Sequence, residues 1–205
     1  DEDLSRGLGD VYKRQNPDRP HHLQFTSGST GALKAVVMTH GNVLAQAAAL
    51  RERIGLTTDD HMVSWLPLYH DMGLVGIALN ALLNGAHLRL MTPFDFLSDP
   101  SHWLRAVSDA PAAITAAPNF AFEYTTRRVS DERMADIDLR SWKKCYCGAE
   151  PVDPRTIAAF YERFRHHGMP AEALHPTYGL AESTLMATMP HTGELPRQVT
   201  IRTDS

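Results

Sequence analysis

Between Thr26 and Lys34 the chain reads Thr26-Ser27-Gly28-Ser29-Thr30-Gly31-Ala32-Leu33-Lys34, with four hydroxyls and two glycines in its first six residues. So polar a run cannot be a core element. Glycines let backbone N–H groups approach an anion closely, hydroxyls donate to phosphate oxygens, and Lys34 adds a positive charge. A polar surface turn is the plainer alternative for such a loop taken alone. The pattern is not a Walker A loop, which spaces its glycines further apart and puts Lys-Ser/Thr directly after the second. Here Ser29-Thr30 separate Gly28 from Gly31, and Ala35 follows Lys34.

Other chemically rich stretches follow. Ser64-Trp65-Leu66-Pro67-Leu68-Tyr69-His70-Asp71-Met72-Gly73-Leu74 reads as a strand end, a proline turn, an aromatic-His-Asp cluster and a glycine opening an apolar helix. His70 and Asp71 on such a turn can gate, orient or titrate, or can cap the helix that follows. Gly148-Ala149-Glu150-Pro151 succeeds one expected strand, and Thr177-Tyr178-Gly179-Leu180-Ala181-Glu182-Ser183-Thr184 the next. Either could be a helix-starting loop with a solvated Glu.

Taken in order, these stretches resemble the signatures of the adenylate-forming superfamily, which includes acyl-CoA synthetases, nonribosomal adenylation domains, luciferases and fatty acyl-AMP ligases. The resemblance covers about Leu23 to Met189. The common phosphate loop has Pro before its lysine and Gly after it, where this chain has Leu33 and Ala35. That departure and the wording His-Asp-Met-Gly-Leu are most similar to the fatty acyl-AMP ligases. Pro118-Asn119-Phe120-Ala121-Phe122-Glu123-Tyr124 resembles the family's acyl-pocket helix.

The resemblance implies ATP-dependent activation of a fatty acid to an acyl-adenylate, with release of pyrophosphate and transfer to an acyl carrier protein. Transfer to CoA, as in an acyl-CoA synthetase, is the alternative, and a degenerate ATP-binding scaffold is the non-enzymatic one. It implies that Thr26, Ser27, Gly28, Ser29, Thr30, Gly31 and Lys34 meet phosphates. His70 would lie beside the acyl carboxylate, and Gly148, Ala149 and Glu150 would border adenine. Tyr178 would stack on adenine beside Gly179, Thr177 or Ser183 would meet phosphate, and Glu182 would hold magnesium. The family's ribose-binding Asp, hinge and catalytic lysine have no match here, so this chain alone is expected to adenylate little or nothing. Met72, Leu74, Val75, Phe120 and Phe122 suit an acyl tail and equally suit a core.

The elements that must position these groups alternate. Strands are expected at Leu23–Thr26, Ala35–Met38, His61–Leu66, His87–Met91, Ala113–Ala116 and Lys144–Cys147. Helices are expected at Gly41–Ile54, with Thr39 or Asn42 as cap, and at Gly73–Asn84, stopped by Gly85. Further helices are expected at Ser101–Ser108, capped by Asp99 or Ser101, and at Ala121–Val129. Pro154–His167 is amphipathic, with Ile157, Phe160, Tyr161 and Phe164 on one face. His175–Tyr178 leads into a last loop and helix. This pattern predicts an α/β layered domain with a substantially parallel sheet flanked by helices, whose ligands bind where strands end.

The 205 residues are 43% hydrophobic and 21% charged, which suits a globular domain. A net charge of -4, with Lys and Arg scattered, gives no footprint for nucleic acid or a membrane surface. No apolar run is long enough for a transmembrane segment, and no signal-peptide core opens the chain. Cys145 and Cys147 are expected to be reduced thiols on or beside a strand. Cytoplasm is the expected compartment. Residues 1–20 are expected to be a disordered or non-native leader, because Asp10–Gln15 resembles translated adapter sequence. Residues 21–205 are expected to be a partial AMP-binding domain, truncated at its C-terminus.

Overall fold

The computed structural model describes residues 16–26, 34–191, 196–197 and 199. The leader up to Gln15, the loop Ser27–Leu33 with its candidate site residues Ser27, Gly28, Ser29, Thr30 and Gly31, and the chain end from Thr200 lie outside the described residues. The first described elements form an antiparallel ribbon, β1 (Pro20–Thr26) and β2 (Lys34–Thr39), in which Thr26 pairs with Lys34. Its inner face carries Gln24 and its outer face Leu23 and Phe25, as the period of two along a strand requires.

Five strands form one parallel sheet in the order β4-β3-β5-β6-β7. They are β3 (His61–Ser64), β4 (His87–Leu90), β5 (Ala113–Pro118), β6 (Trp142–Gly148) and β7 (Leu174–Pro176). This is the expected parallel α/β sheet, with the ribbon standing apart from it.

Helix α1 (His40–Ile54) begins where expected. Thr39 is its cap: Thr39 Oγ1 accepts the Asn42 N–H at 3.1 Å, and Asn42 Oδ1 accepts the Thr39 N–H at 3.0 Å. Val43, Ala47, Leu50 and Ile54 share its buried face, and Gly55, at φ 64, ends it. The helix expected at Gly73–Asn84 starts at Met72. Its first eight residues, Met72–Leu79, are wound as a π-helix that runs into α2 (Asn80–Asn84). That wider winding has no signature in apolar periodicity. Gly85, at φ 71, stops it.

Helices α3 (Pro93–Ser98), α4 (Ser101–Ser108), α5 (Asn119–Arg128), α6 (Asp131–Met134) and α7 (Pro154–Phe164) complete the layers. Asp99 Oδ1 accepts the Ser101 N–H at 3.0 Å at the start of α4. An aromatic cluster of Trp103, Phe122, Trp142, Phe160 and Phe164, all fully buried, binds α4, α5 and α7 to the sheet. Trp142 Nε1–H donates to Thr115 Oγ1 at 3.1 Å within it. Of the amphipathic stripe on α7, Phe160 and Phe164 are core, and Ile157 and Tyr161 flank it.

Ala116 points to the face opposite Thr115, because successive strand residues alternate. It pairs in register with Tyr146, so the two faces of the sheet divide the labour: aromatic core on one, cleft on the other. Cys145 and Cys147 are buried, unpaired thiols on β6, as expected. Burial pushes both thiols upward, Cys147 to about 12.

The helix expected after Tyr178 does not form. Ala181–Ser183 is a single tight turn, and Thr184, at φ 68, swings the chain back so that β8 (Tyr178–Gly179) pairs antiparallel with β9 (Met186–Thr188). The Leu180 N–H donates to the Leu185 carbonyl at 2.8 Å, and the Met186 N–H to Gln46 Oε1 at 3.1 Å. These bonds outcompete local helix propensity.

Candidate functional site

The loops leaving the carboxyl ends of the parallel strands converge on one cleft of about 480 Å3. The ribbon brings Thr26 to it, the loop after β3 brings His70, and the loop after β6 brings Ala149. Thr177, Tyr178, Gly179 and Glu182 arrive from the segment after β7. Lys34, Gly148, Glu150 and Ser183 do not line it.

Each non-lining residue has a definite place. Lys34 is exposed beside Thr26 across the ribbon. Gly148 lies directly behind the wall, where a Cβ would come within 2.8 Å of Thr177 Oγ1 and 3.0 Å of the Thr177 carbonyl. The Thr177 N–H donates to the Cys147 carbonyl at 2.7 Å, so a side chain at 148 would split the two loops. Glu150 Oε1 accepts the Phe120 N–H at 2.7 Å, at the N-terminus of α5 where a carboxylate satisfies an orphan donor. Ser183 is exposed on the turn.

The His70 turn is tightly held. The His70 N–H donates to the Pro67 carbonyl at 3.2 Å, and Gln24 Nε2 donates to the Tyr69 carbonyl at 3.2 Å, tying β1 to the turn. His70 Nδ1 lies 2.9 Å from Asp71 Oδ1, which also accepts the Met72 N–H at 2.7 Å. Asp71 therefore does both things the sequence left open: it caps the helix and orients the imidazole. The hydrogen bond to Asp71 raises the His70 pKa above its usual value, against a smaller opposing effect of burial.

Gly179 is required for another reason than freedom of φ. A Cβ there would sit 2.1 Å from the Leu185 carbonyl oxygen. Ala149 adopts the left-handed backbone at φ 66, a strained conformation at the mouth of the cleft. Tyr178 is 61% exposed and presents its ring at the rim. The floor is apolar: Leu50, Ile54, Met62, Ile77 and Ala116 line it, with Leu185, Met186 and Met189 along one side.

Of the residues expected to suit an acyl tail, only Met72 lines the cleft. Phe122 belongs to the aromatic core, Val75 is buried, and Phe120 packs edge-on to Trp65 at 6.3 Å. Sequence reasoning missed Gln24, Tyr146, Leu185 and Met186. Gln24 had a signal, since it lies two residues before Thr26 on one strand face. Leu185 and Met186 had none, because they reach the cleft through a turn that reads as helix.

Two observations bear on ligands. Thr26 Oγ1 is buried at the cleft wall without a hydrogen-bond partner among the described residues, a donor left for a bound group. Glu182 is exposed at the rim, and among the described residues no group of three or more His, Cys, Asp or Glu could hold a metal. One exposed carboxylate fits magnesium, which takes one or two protein carboxylates and completes its shell with phosphates and water.

A parallel sheet with a polar-rimmed, apolar-floored cleft at its strand ends defines a ligand-binding α/β domain. The sequence matches the model of the AMP-binding enzyme family over residues 3–203, and the chain belongs to that family. It is 37% identical over 190 residues to the medium-chain-fatty-acid acyl-carrier-protein ligase of Moorena producens, covering 93% of this chain and 32% of that protein. It is 39% identical over 195 residues to the long-chain-fatty-acid AMP ligase of Mycobacterium tuberculosis, covering 92% and 33%. The crystal structure of the fatty acyl-adenylate ligase from Legionella pneumophila, in complex with acyl adenylate and pyrophosphate, is 37% identical and superimposes with a TM-score of 0.83. That match covers 88% of this chain and 32% of the other. The chain thus spans about a third of the length of the relatives it matches.

Proposed function

We propose that this chain supplies the acid- and nucleotide-binding part of a ligase that joins a fatty acid to ATP, giving acyl-adenylate and pyrophosphate, and passes the acyl group to a carrier protein. The observation that carries the reading is the convergence of Thr26, His70, Thr177, Tyr178 and Glu182 on one cleft with an apolar floor. Relatives that are fatty-acid AMP ligases and a fatty-acid carrier-protein ligase support the substrate and the acceptor.

The exposed Tyr178 ring, which lines the cleft together with Ala149, suits the face of adenine. Thr26 Oγ1, without a partner among the described residues, suits a phosphate oxygen, and Thr177 Oγ1 would do so on leaving the Cys147 carbonyl, to which it donates at 3.3 Å; the family resemblance assigns Ser27–Gly31 and Lys34 to phosphate as well. His70, oriented by Asp71, suits the acid's carboxylate, which must be held in line with the α-phosphate. Magnesium at Glu182 would neutralise phosphate charge. The apolar floor takes the tail and excludes water from it. The buried free thiols and the use of ATP suit the cytoplasm. Among the described residues no helix is long and apolar enough to cross a membrane.

The test is ATP–pyrophosphate exchange by the full-length polypeptide carrying this sequence, with straight-chain acids from butanoate to palmitate. Exchange is expected only when an acid is present, and Tyr178→Ala is expected to raise the KM for ATP roughly tenfold, the worth of one lost stacking contact. Exchange without acid, or none with any acid, refutes the reading. Thioester formed with CoA and never with a carrier protein refutes the acceptor.

A further inference from the structure

Two segments far apart in sequence meet at the apolar part of the cleft. Gly76 lies on the π-helix, and Leu185 follows the turn at Thr184; both line the cleft. A Cβ on Gly76 would come within 2.9 Å of Leu185 Cδ2, so the tip of Leu185 rests against the helix where position 76 bears no side chain.

The Leu185 backbone belongs to the Tyr178 turn. Its carbonyl accepts the Leu180 N–H at 2.8 Å, and the next N–H, of Met186, is fixed by Gln46 at 3.1 Å. Its side chain is different: a flexible tip reaching toward the helix, with Met62, Met72, Met186 and Met189 also lining the cleft. Methionine is unbranched and adaptable, so these walls can follow tails of different shape. At Gly76 the limit is the Leu185 side chain itself, carried on a pinned turn and set against helix backbone, so its volume and not its place is what can vary.

We propose that Leu185 and Gly76 together are a size determinant of the cleft: the volume at these two positions limits how long a straight acyl tail can be. The inference rests on the fatty-acid reading above and specifies one part of it. Leu185→Ala removes three side-chain carbons and admits about three further methylenes, each worth roughly fourfold in kcat/KM when buried. Gly76→Ala acts oppositely, driving the Leu185 tip into the space the tail needs.

The experiment measures kcat/KM for acid-dependent pyrophosphate exchange across butanoate to palmitate, in the full-length polypeptide and its variants. Leu185→Ala is expected to move the preferred acid to a longer chain, and Gly76→Ala to a shorter one. The double variant is expected to keep the longer-chain preference of Leu185→Ala, not the cancelling sum of two opposite shifts, because the new methyl no longer meets Cδ2; such non-additivity marks residues in contact. Should Leu185→Ala fail to fold, Leu185→Val gives the same direction with a smaller step. If the parent exchanges but the single variants keep its chain-length profile, or the double variant is additive, the size determinant is wrong while fatty-acid activation stands. If the parent exchanges with no acid, both fall together.

Discussion

Gly73→Ala would show how much of the His70 turn depends on one missing side chain. A Cβ at Gly73 would lie 2.5 Å from the Pro67 carbonyl oxygen, 3.1 Å from Leu66 Cβ and 3.2 Å from the Leu66 carbonyl oxygen. Ordinary carbon–oxygen contacts begin near ~3.3 Å, so the Pro67 carbonyl must retreat by about 0.8 Å. That carbonyl accepts the His70 N–H at 3.2 Å, so the bond holding the turn is lost. Overpacking costs about 1–3 kcal/mol and the lost hydrogen bond about 1 kcal/mol. Better helix propensity of Ala returns up to about 1 kcal/mol. The net expectation is destabilisation by about 1–3 kcal/mol, read as a lower urea midpoint at unchanged slope. Gly76→Ala is the internal control: its nearest neighbour is the movable tip of Leu185, so the propensity gain of up to about 1 kcal/mol offsets the contact cost and its unfolding free energy should fall by no more than about 0.5 kcal/mol. A Gly73→Ala protein as stable as the parent, or two alanine variants equally destabilised, would refute the argument that backbone approach makes position 73 a glycine.

Asp71→Asn is expected to bring the His70 titration down toward the ordinary histidine value, followed by NMR of the ring protons, since the Asp71 hydrogen bond is the main cause of the rise. Because the folded pKa is the higher one, the stability from this contact is fully present below ~6.5 and is lost as pH rises through the folded value. Lys143→Met is expected to cost about 2–4 kcal/mol by urea unfolding, because it strands a carboxylate in the interior. Asp60 is 2% exposed, and Lys143 Nζ reaches it at 2.7 Å and the Gly55 carbonyl at 2.9 Å. Cys145 and Cys147 should resist an aromatic disulfide reagent at neutral pH until the chain is unfolded; rapid labelling of folded protein would contradict their burial and raised pKa.

Much of this molecule is legible in its sequence. Short apolar runs bounded by turn residues locate the parallel strands, Thr39 with Asn42 marks the start of α1, and Gly55 and Gly85 mark helix ends, because these are local preferences of backbone and side chain. The order of the polar loops identifies the family. The tertiary structure alone decides which loops meet. It sends Glu150 to the α5 N-terminus and turns Phe122 into core, while Leu185 reaches the cleft through a turn that reads as helix. It also supplies the reason for Gly73, Gly148 and Gly179, each of which faces a carbonyl or hydroxyl of another segment where a Cβ would not fit. Sequence records local propensity; which neighbour occupies the space a Cβ would need at a given glycine is a property of the packed chain.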